Sequence, residues 1–166
     1  APMRVCVAES KAEGDSVGGM IECAAVGVPA GIGSPFFGSV ESVVSQLAFS
    51  VPAVKAIEFG DGMAIAQKRA SQANDAMRFE DGRVRCLSNH NGGLTGGITN
   101  GMDLVFRVAI KPTPSISKPQ ETINLLTGEP TQFQVHGRHD PCIVPRAVPV
   151  IEAAAACALY DAFLCN

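Results

Sequence analysis

Apolar residues recur along this chain at two spacings, and the places where one spacing gives way to the other predict the elements. Val40, Val43, Val44, Leu47 and Ala48 follow the i, i+3, i+4, i+7, i+8 rhythm of one helix face. Ser39 stands where an N-cap belongs, and Pro52 where the helix must already have ended. Leu104 to Ile110 is largely apolar and reads as a central strand that delivers Lys111 at its end. Val54 to Phe59 reads as a second strand, closed by Gly60-Asp61-Gly62. Met63 to about Ala73 follows as a helix with Ala64, Ala66 and Ala70 as small packing residues. Met77 to Leu87 reads as a hairpin about Glu80-Asp81-Gly82, because an Asp-Gly pair supplies the positive φ of a tight turn. Ile123–Leu126 and Phe133–Val135 read as short strands joined across Gly128-Glu129-Pro130, Met3–Ala8 as β-prone and Met20–Val28 as β-like. Pro149 suits the first turn of a last helix running to about Leu164. That helix is apolar almost all round, so it is expected in the middle of the protein or in an oligomer interface.

This order predicts an α+β fold in which helices lie on one face of a mostly antiparallel sheet. With 166 residues and 46% apolar composition, residues 1–166 suffice for a single domain with a core that needs no disulfide. A net charge of -3 with one Tyr and no Trp leaves neither the basic face nor the stacking rings of a nucleic-acid binder. The six cysteines are scattered, none in a Cys-x-x-Cys pair, which predicts a reducing, cytoplasmic setting. The last helix carries Glu152 and Asp161, and no leader is evident, so a soluble chain without a membrane span is expected.

Candidate chemistry concentrates in three polar loops. Asn89 to Gly101 is rich in glycine and offers backbone N–H groups free of side chains; Lys111-Pro112-Thr113-Pro114-Ser115 sets a cation beside two hydroxyls. Gly137-Arg138-His139-Asp140-Pro141-Cys142 packs a guanidinium, an imidazole and a carboxylate into consecutive positions. If the fold brings the three together, they suit a phosphorylated, planar ligand. The first loop lacks the Gly-Lys-Ser/Thr ending of a nucleotide P-loop. Gly14-Asp15-Ser16-Val17-Gly18 matches the Gly-x-Ser-x-Gly pattern of a nucleophile elbow, but a β-like stretch follows it where that motif needs a helix, so a turn into a strand is the better reading. His136, His139 and Cys142, with Cys86 and His90 upstream, approach metal-ligand spacing, yet Pro141 and the lack of a second tight pair argue against it, and no metal is expected.

Several of these segments occur together in one order. Glu13 to Gly19, Gly27 to Gly31, Ala53-Val54-Lys55, Gly60-Asp61-Gly62, Asn91-Gly92-Gly93 through Ile98, Lys111 to Ile116, and Gly137 to Cys142 through Pro149 resemble chorismate synthase. The resemblance runs over nearly all of the chain but corresponds to about the C-terminal half of a family member. It implies half of a β-α-β sandwich, in which helices lie between antiparallel sheets, and assembly as a homotetramer.

It also implies an activity: loss of phosphate from 5-enolpyruvylshikimate 3-phosphate to give chorismate, with reduced FMN (FMNH2) as cofactor, in the shikimate pathway. By resemblance Pro52, Ala53, Gly96, the run Lys111, Pro112, Thr113, Pro114 and Ser115, and Arg138 fall at flavin-contacting positions, with His139 beside them as an orienting residue. Asp140 falls at the carboxylate near the flavin and is the expected catalytic residue. The family's two catalytic histidines and its substrate-binding arginines belong to the N-terminal half, and neither His90 nor His136 matches them. The chain alone is therefore expected to be inactive, with the missing half as its partner; a non-catalytic flavin- or phosphate-binding or oligomerisation module is the alternative.

Overall fold

Residues 2–165 are described by a computed structural model. The chain opens with a helix, α1 (Pro2–Ala12), where the alternation of Met3, Val5 and Val7 suggests a strand. Pro2 suits a first helical turn, and Ala8 to Ala12 extend the segment with good helix formers. Gly14, at φ 70°, closes it: its N–H reaches the Lys11 carbonyl at 3.2 Å, and the Asp15 N–H reaches that of Ser10 at 2.9 Å. This doubly bonded ending needs a left-handed residue, which glycine supplies without strain. The first glycine of the Gly-x-Ser-x-Gly stretch is thus a helix terminator.

Strand β1 (Gly19–Ala25) follows, then helix α2 (Val40–Ser50). The Ser39 hydroxyl caps α2 by accepting the Ser42 N–H at 3.1 Å. Strand β2 (Val54–Phe59) has the bounds its sequence predicts. The helix expected over Met63–Ala73 does not form as one piece: a 3-10 turn (Gly62–Gln67) and a short α3 (Ala70–Ala73) are separated by extended backbone at Lys68. Lys68 is drawn out of helical register by ion pairing with Asp61.

The hairpin of β3 (Met77–Glu80) and β4 (Arg83–Cys86) turns on Asp81 and Gly82, both at positive φ, as expected. The short pair β5 (Leu94–Thr95) and β6 (Ile98–Thr99) sits inside the glycine-rich loop, and β7 (Leu104–Ile110) follows. Strands β8 (Gln120–Ile123) and β9 (Pro130–Phe133) form an arm about three residues earlier than their apolar runs suggest. Asn124 explains the shift. Its side chain accepts the N–H groups of Leu126 and Thr127, and its backbone pairs with Glu129 and Gly128, so Asn124 to Glu129 is consumed by the turn.

The last helix, α4 (Val144–Leu164), begins five residues before Pro149, with Pro145 in its first turn. Pro149 lies inside the helix and forgoes only the bond to the exposed Pro145 carbonyl, which water can satisfy.

Strands order as β1-β7-β2, antiparallel throughout, so β7 is central as predicted. Its alternation is strict: Leu104, Phe106, Val108 and Ile110 are buried against α2 and α4, while Val105, Arg107 and Ala109 face the other side. The core joins these to Val40, Val44 and Ala48 of α2 and to Ile151, Ala155, Ala158 and Ala162 of α4. Each large apolar side chain removed from water here contributes about 1.5–3 kcal/mol. Of the two settings expected for α4, the middle of the protein accounts for that one stripe alone; Val150, Tyr160, Phe163 and Leu164 are exposed on this chain. On the sheet's open face Arg107 bridges Glu22 at 2.7 Å and Glu58 at 3.5 Å. The architecture is α+β, an antiparallel sheet layered on helices, as the pattern of the sequence predicts.

Candidate functional site

Strand β7 ends at Ile110, and the N–H of the next residue, Lys111, donates to the Ala53 carbonyl at 2.9 Å. Ala53 holds φ 73°, a left-handed conformation that costs a non-glycine residue about 1–2 kcal/mol. Such strain persists only where its surroundings enforce it, and it clusters at functional sites. Pro52 and Ala53 therefore abut the start of the Lys111 loop.

Residues before β1 tie that loop down. The Ser16 hydroxyl donates to the Thr113 carbonyl at 2.6 Å, and the Ser117 N–H donates to the Gly14 carbonyl at 2.9 Å. Lys118 reaches Asp15 at 2.8 Å and Glu13 at 3.3 Å. Its hydrogen bond, helped by the Ser16 N–H, holds the Asp15 carboxyl below the usual range. One group in this well-bonded loop is left over: the Thr113 Oγ1 is buried without a hydrogen-bond partner. An orphaned hydroxyl costs about 1–3 kcal/mol, so a native structure that keeps one has a reason. Lys111 itself is exposed and forms no ion pair among the described residues.

The loop carrying Arg138, His139 and Asp140 meets the same segment. The Val17 N–H donates to the Pro141 carbonyl at 2.8 Å, so adjacent residues, Ser16 and Val17, hold the Lys111 loop and the Asp140 loop. Asp140 accepts from Arg146 Nη1 at 2.7 Å, a pairing from the first turn of α4. His139 Nε2 lies 3.3 Å from the Val135 carbonyl, which suits a ring that orients its neighbours. Arg138 is exposed and unpaired among the described residues. An apolar hollow of about 220 Å³ adjoins this junction, walled by Cys6 and Val7 of α1, Val17, Met20, Cys142 and Val144.

The glycine-rich loop does not join them. Gly92 accepts the Val105 N–H through its carbonyl, so the loop sits at the start of β7 while Lys111 sits at its end, about 20 Å away along six residues of strand. Polar groups there are turned inward. Asp75 accepts from Ser88 Oγ at 2.7 Å, from the His90 and Asn91 N–H groups at 2.8 and 3.0 Å, and from the Asn91 amide at 2.8 Å. Burial by itself would raise the Asp75 carboxyl, but these four donors together outweigh it and lower the group to about 2. Asp61 pairs with Lys68, and with His90 Nδ1 at 2.7 Å. Asn89 accepts the Gly93 N–H at 2.6 Å and donates to the Asp103 carbonyl at 2.8 Å. A Cβ on Gly93 would come within 2.5 Å of the Asp103 carbonyl oxygen, and one on Gly97 within 2.7 Å of Ser39. Gly96 alone of this cluster faces open space, exposed and at φ 62°. Most of these glycines therefore serve close backbone packing.

The structure thus joins Pro52-Ala53 to the start of the Lys111–Ser115 loop and, through Ser16 and Val17, ties that loop to the one carrying Arg138 to Asp140, while Gly96 lies apart. Three contributors escape sequence reasoning. Ser16 stands in a motif that points to a nucleophile, Arg146 lies six residues beyond the carboxylate it meets, and Asp75 sits in a polar stretch with partners 13 to 16 residues away. A serine and an aspartate next to a helix-ending glycine are the one local signal, since such residues bond neighbouring backbone. All six cysteines are free, and no cluster of three or more metal-binding side chains exists among the described residues.

Residues 1–164 match the chorismate synthase family model. The chain belongs to the chorismate synthase family. It is 52% identical over 152 residues to chorismate synthase of Archaeoglobus fulgidus, which covers 92% of this chain and 42% of that relative. To the Porphyromonas gingivalis chorismate synthase it is 47% identical over 165 residues, covering 99% of this chain and 45% of the relative. A chorismate synthase crystal structure superposes with a TM-score of 0.79 at 32% identity, covering 98% of this chain and 42% of that one. The chain spans less than half the length of the chorismate synthases it matches.

Proposed function

We propose that this chain, folding as one domain over residues 1–166, is the part of a chorismate synthase that holds the flavin and the proton-accepting carboxylate. The reaction is the loss of phosphate and a proton from 5-enolpyruvylshikimate 3-phosphate, giving chorismate in the shikimate pathway of the cytoplasm. The observation that carries the reading is the buried, partnerless Thr113 hydroxyl beside the unpaired Lys111. Membership of the chorismate synthase family supports reading that surplus of donors as a place for a phosphate-bearing cofactor.

The residues fit reduced FMN. Lys111, Thr113, Ser115 and Arg138 offer a local excess of donors and positive charge, as an anionic, phosphate-bearing cofactor requires. Pro52, Pro112 and Pro114 add rigid walls without N–H groups, and the strained Ala53 carbonyl fixes where Lys111 begins. When bound, the reduced flavin lends electron density that loosens the carbon–oxygen bond to phosphate. The chain's own contributions are positioning and proton handling. Asp140, steadied by Arg146, accepts the proton removed from the substrate, and His139 fixes the loop between Arg138 and Asp140. Gly96, open but at the other end of β7, reaches a flavin as part of a second copy in a homo-oligomer.

The missing half of the family chain is the other partner. Nothing here replaces that half's histidines and arginines, so the chain alone is inactive. The outward side of α4, with Val150, Tyr160, Phe163 and Leu164 exposed, favours an interface with it. The test is an anaerobic assay of chorismate formation from 5-enolpyruvylshikimate 3-phosphate and reduced FMN. Activity only when the other half of a family member is added supports the reading. Turnover by the chain alone contradicts the claim of a missing catalytic half, and flavin binding without turnover in the presence of that half favours a non-catalytic module.

A further inference from the structure

The Gly14-to-Gly18 stretch resembles a nucleophile elbow and acts as nothing of the kind. The Ser16 hydroxyl, which in an elbow would stand free at the top of a strained turn, is spent on the Thr113 carbonyl at 2.6 Å. The backbone N–H of the next residue, Val17, is spent on the Pro141 carbonyl at 2.8 Å. The Thr113 loop and the Asp140 loop are thereby held one residue apart along a single extended segment, about 3.8 Å from one Cα to the next. Both neighbours of that segment lock it. Gly18 lies so close to Ile110 and Pro112 that any side chain would strike the Ile110 carbonyl. On the other side, Lys118 grips Asp15 and Glu13, and Ser117 bonds Gly14.

From this geometry we infer that Ser16 is a positioning residue: its bond to the Thr113 carbonyl aims the unpartnered Thr113 hydroxyl at the phosphate-bearing flavin and fixes the distance from that cofactor to Asp140. The inference rests on the function proposed above. Thr113 has two polar groups that matter, and the seam separates their tasks. Its carbonyl is consumed by Ser16, which fixes the backbone, and its hydroxyl is left buried with no partner in the chain. A hydroxyl held in that way loses little freedom when a ligand oxygen arrives, which is how preorganisation raises affinity. The same seam explains the charges around it. Asp15 and Lys118 neutralise each other, leaving Lys111 as the cation presented at the loop's start.

The test uses the chain supplied with the other half of a family member and follows reduced and oxidised FMN by flavin fluorescence and visible circular dichroism. Ser16→Ala is expected to weaken flavin binding about tenfold and to alter the flavin circular dichroism. Ser16→Thr, which keeps the hydroxyl, is expected to bind within about twofold of the unsubstituted protein. Asp15→Asn, which loosens the Lys118 grip while leaving the Ser16 hydroxyl and an acceptor for the Ser16 N–H in place, is expected to fall between them and serves if the alanine variant does not fold. Flavin binding unchanged in both Ser16→Ala and Asp15→Asn, or equally weakened in the alanine and threonine variants, overturns the positioning role while leaving the proposed function standing. An unsubstituted protein that binds no flavin overturns both.

Discussion

The two ends of β7 carry similar-looking polar loops and do opposite things with them. At its start, the glycine-rich loop spends its polar groups on itself: Asp75 collects four donors, Asp61 pairs with Lys68 and His90, and Asn89 closes both ways. At its end, the backbone is fastened just as firmly, but Thr113 Oγ1 is left buried without a partner and Lys111 without a counter-ion. Glycine richness marks the first loop and is missing from Lys111 to Ser115, yet it does not mark the open one. What separates them is the balance of donors and acceptors, because a fold that leaves a buried hydroxyl unsatisfied forgoes stability that a ligand can restore.

Substitutions at the two ends should part along that line. The largest effect belongs to Gly93→Ala at the closed end, where a positive φ of 84° and a backbone oxygen 2.5 Å from the new Cβ both oppose the side chain. We expect a loss of about 3–4 kcal/mol, seen as a fall of roughly 10 °C or more in the thermal midpoint. A shift of only a few degrees would show that this loop yields more easily than its hydrogen bonds imply.

Asp75→Asn comes next, at about 2 kcal/mol, because the neutral amide cannot accept four donors as the carboxylate does. The same residue sets a pH dependence. Its folded-state pKa of about 2 lies below the unfolded value near 4, so its contribution is fully present above about pH 5 and drains away as pH falls toward 2. Urea midpoints measured across that window should decline steeply for the native chain and less steeply for Asp75→Asn. Parallel curves would remove Asp75 as the cause. The smallest effect at this end is Gly96→Ala, for which only the left-handed backbone must be met, since nothing lies within 4 Å. A cost of about 1 kcal/mol is expected by the same denaturation measurement, well short of Gly93→Ala.

The elements that the sequence makes legible are those decided by local chemistry. The period of Val40 to Ala48 with Ser39 and Pro52 at its ends, the apolar run Leu104 to Ile110, and the Asp81-Gly82 turn all specify themselves within a few residues. The failures share a cause in distant or competing bonds. Lys68 leaves its helix for Asp61, Asn124 draws a turn into an apolar run, and Met3, Val5 and Val7 alternate like a strand inside a helix. For the candidate site, the motif resemblance named Lys111 to Ser115 and Arg138 to Asp140, whose loops the fold ties to neighbouring residues, Ser16 and Val17. Gly96 precedes β7 and Lys111 follows it, so chain order already set the two at opposite ends of a strand; the resemblance grouped them without weighing that separation. Nor could it show that Ser16 and Val17 join the two loops, since those bonds span 97 and 124 residues.

The most direct measurement on the open end is Thr113→Val, which removes the orphaned hydroxyl and keeps the side chain's shape. Stability and FMN affinity should be measured on the same preparation, assembled with the other half of a family member. The account predicts a thermal midpoint unchanged or slightly raised, because a buried unsatisfied oxygen is replaced by a methyl group, together with flavin binding weakened about tenfold, a loss of about 1.4 kcal/mol. A destabilised protein that binds flavin as tightly as before would contradict it, and would place Thr113 with the structural residues at the other end of the strand.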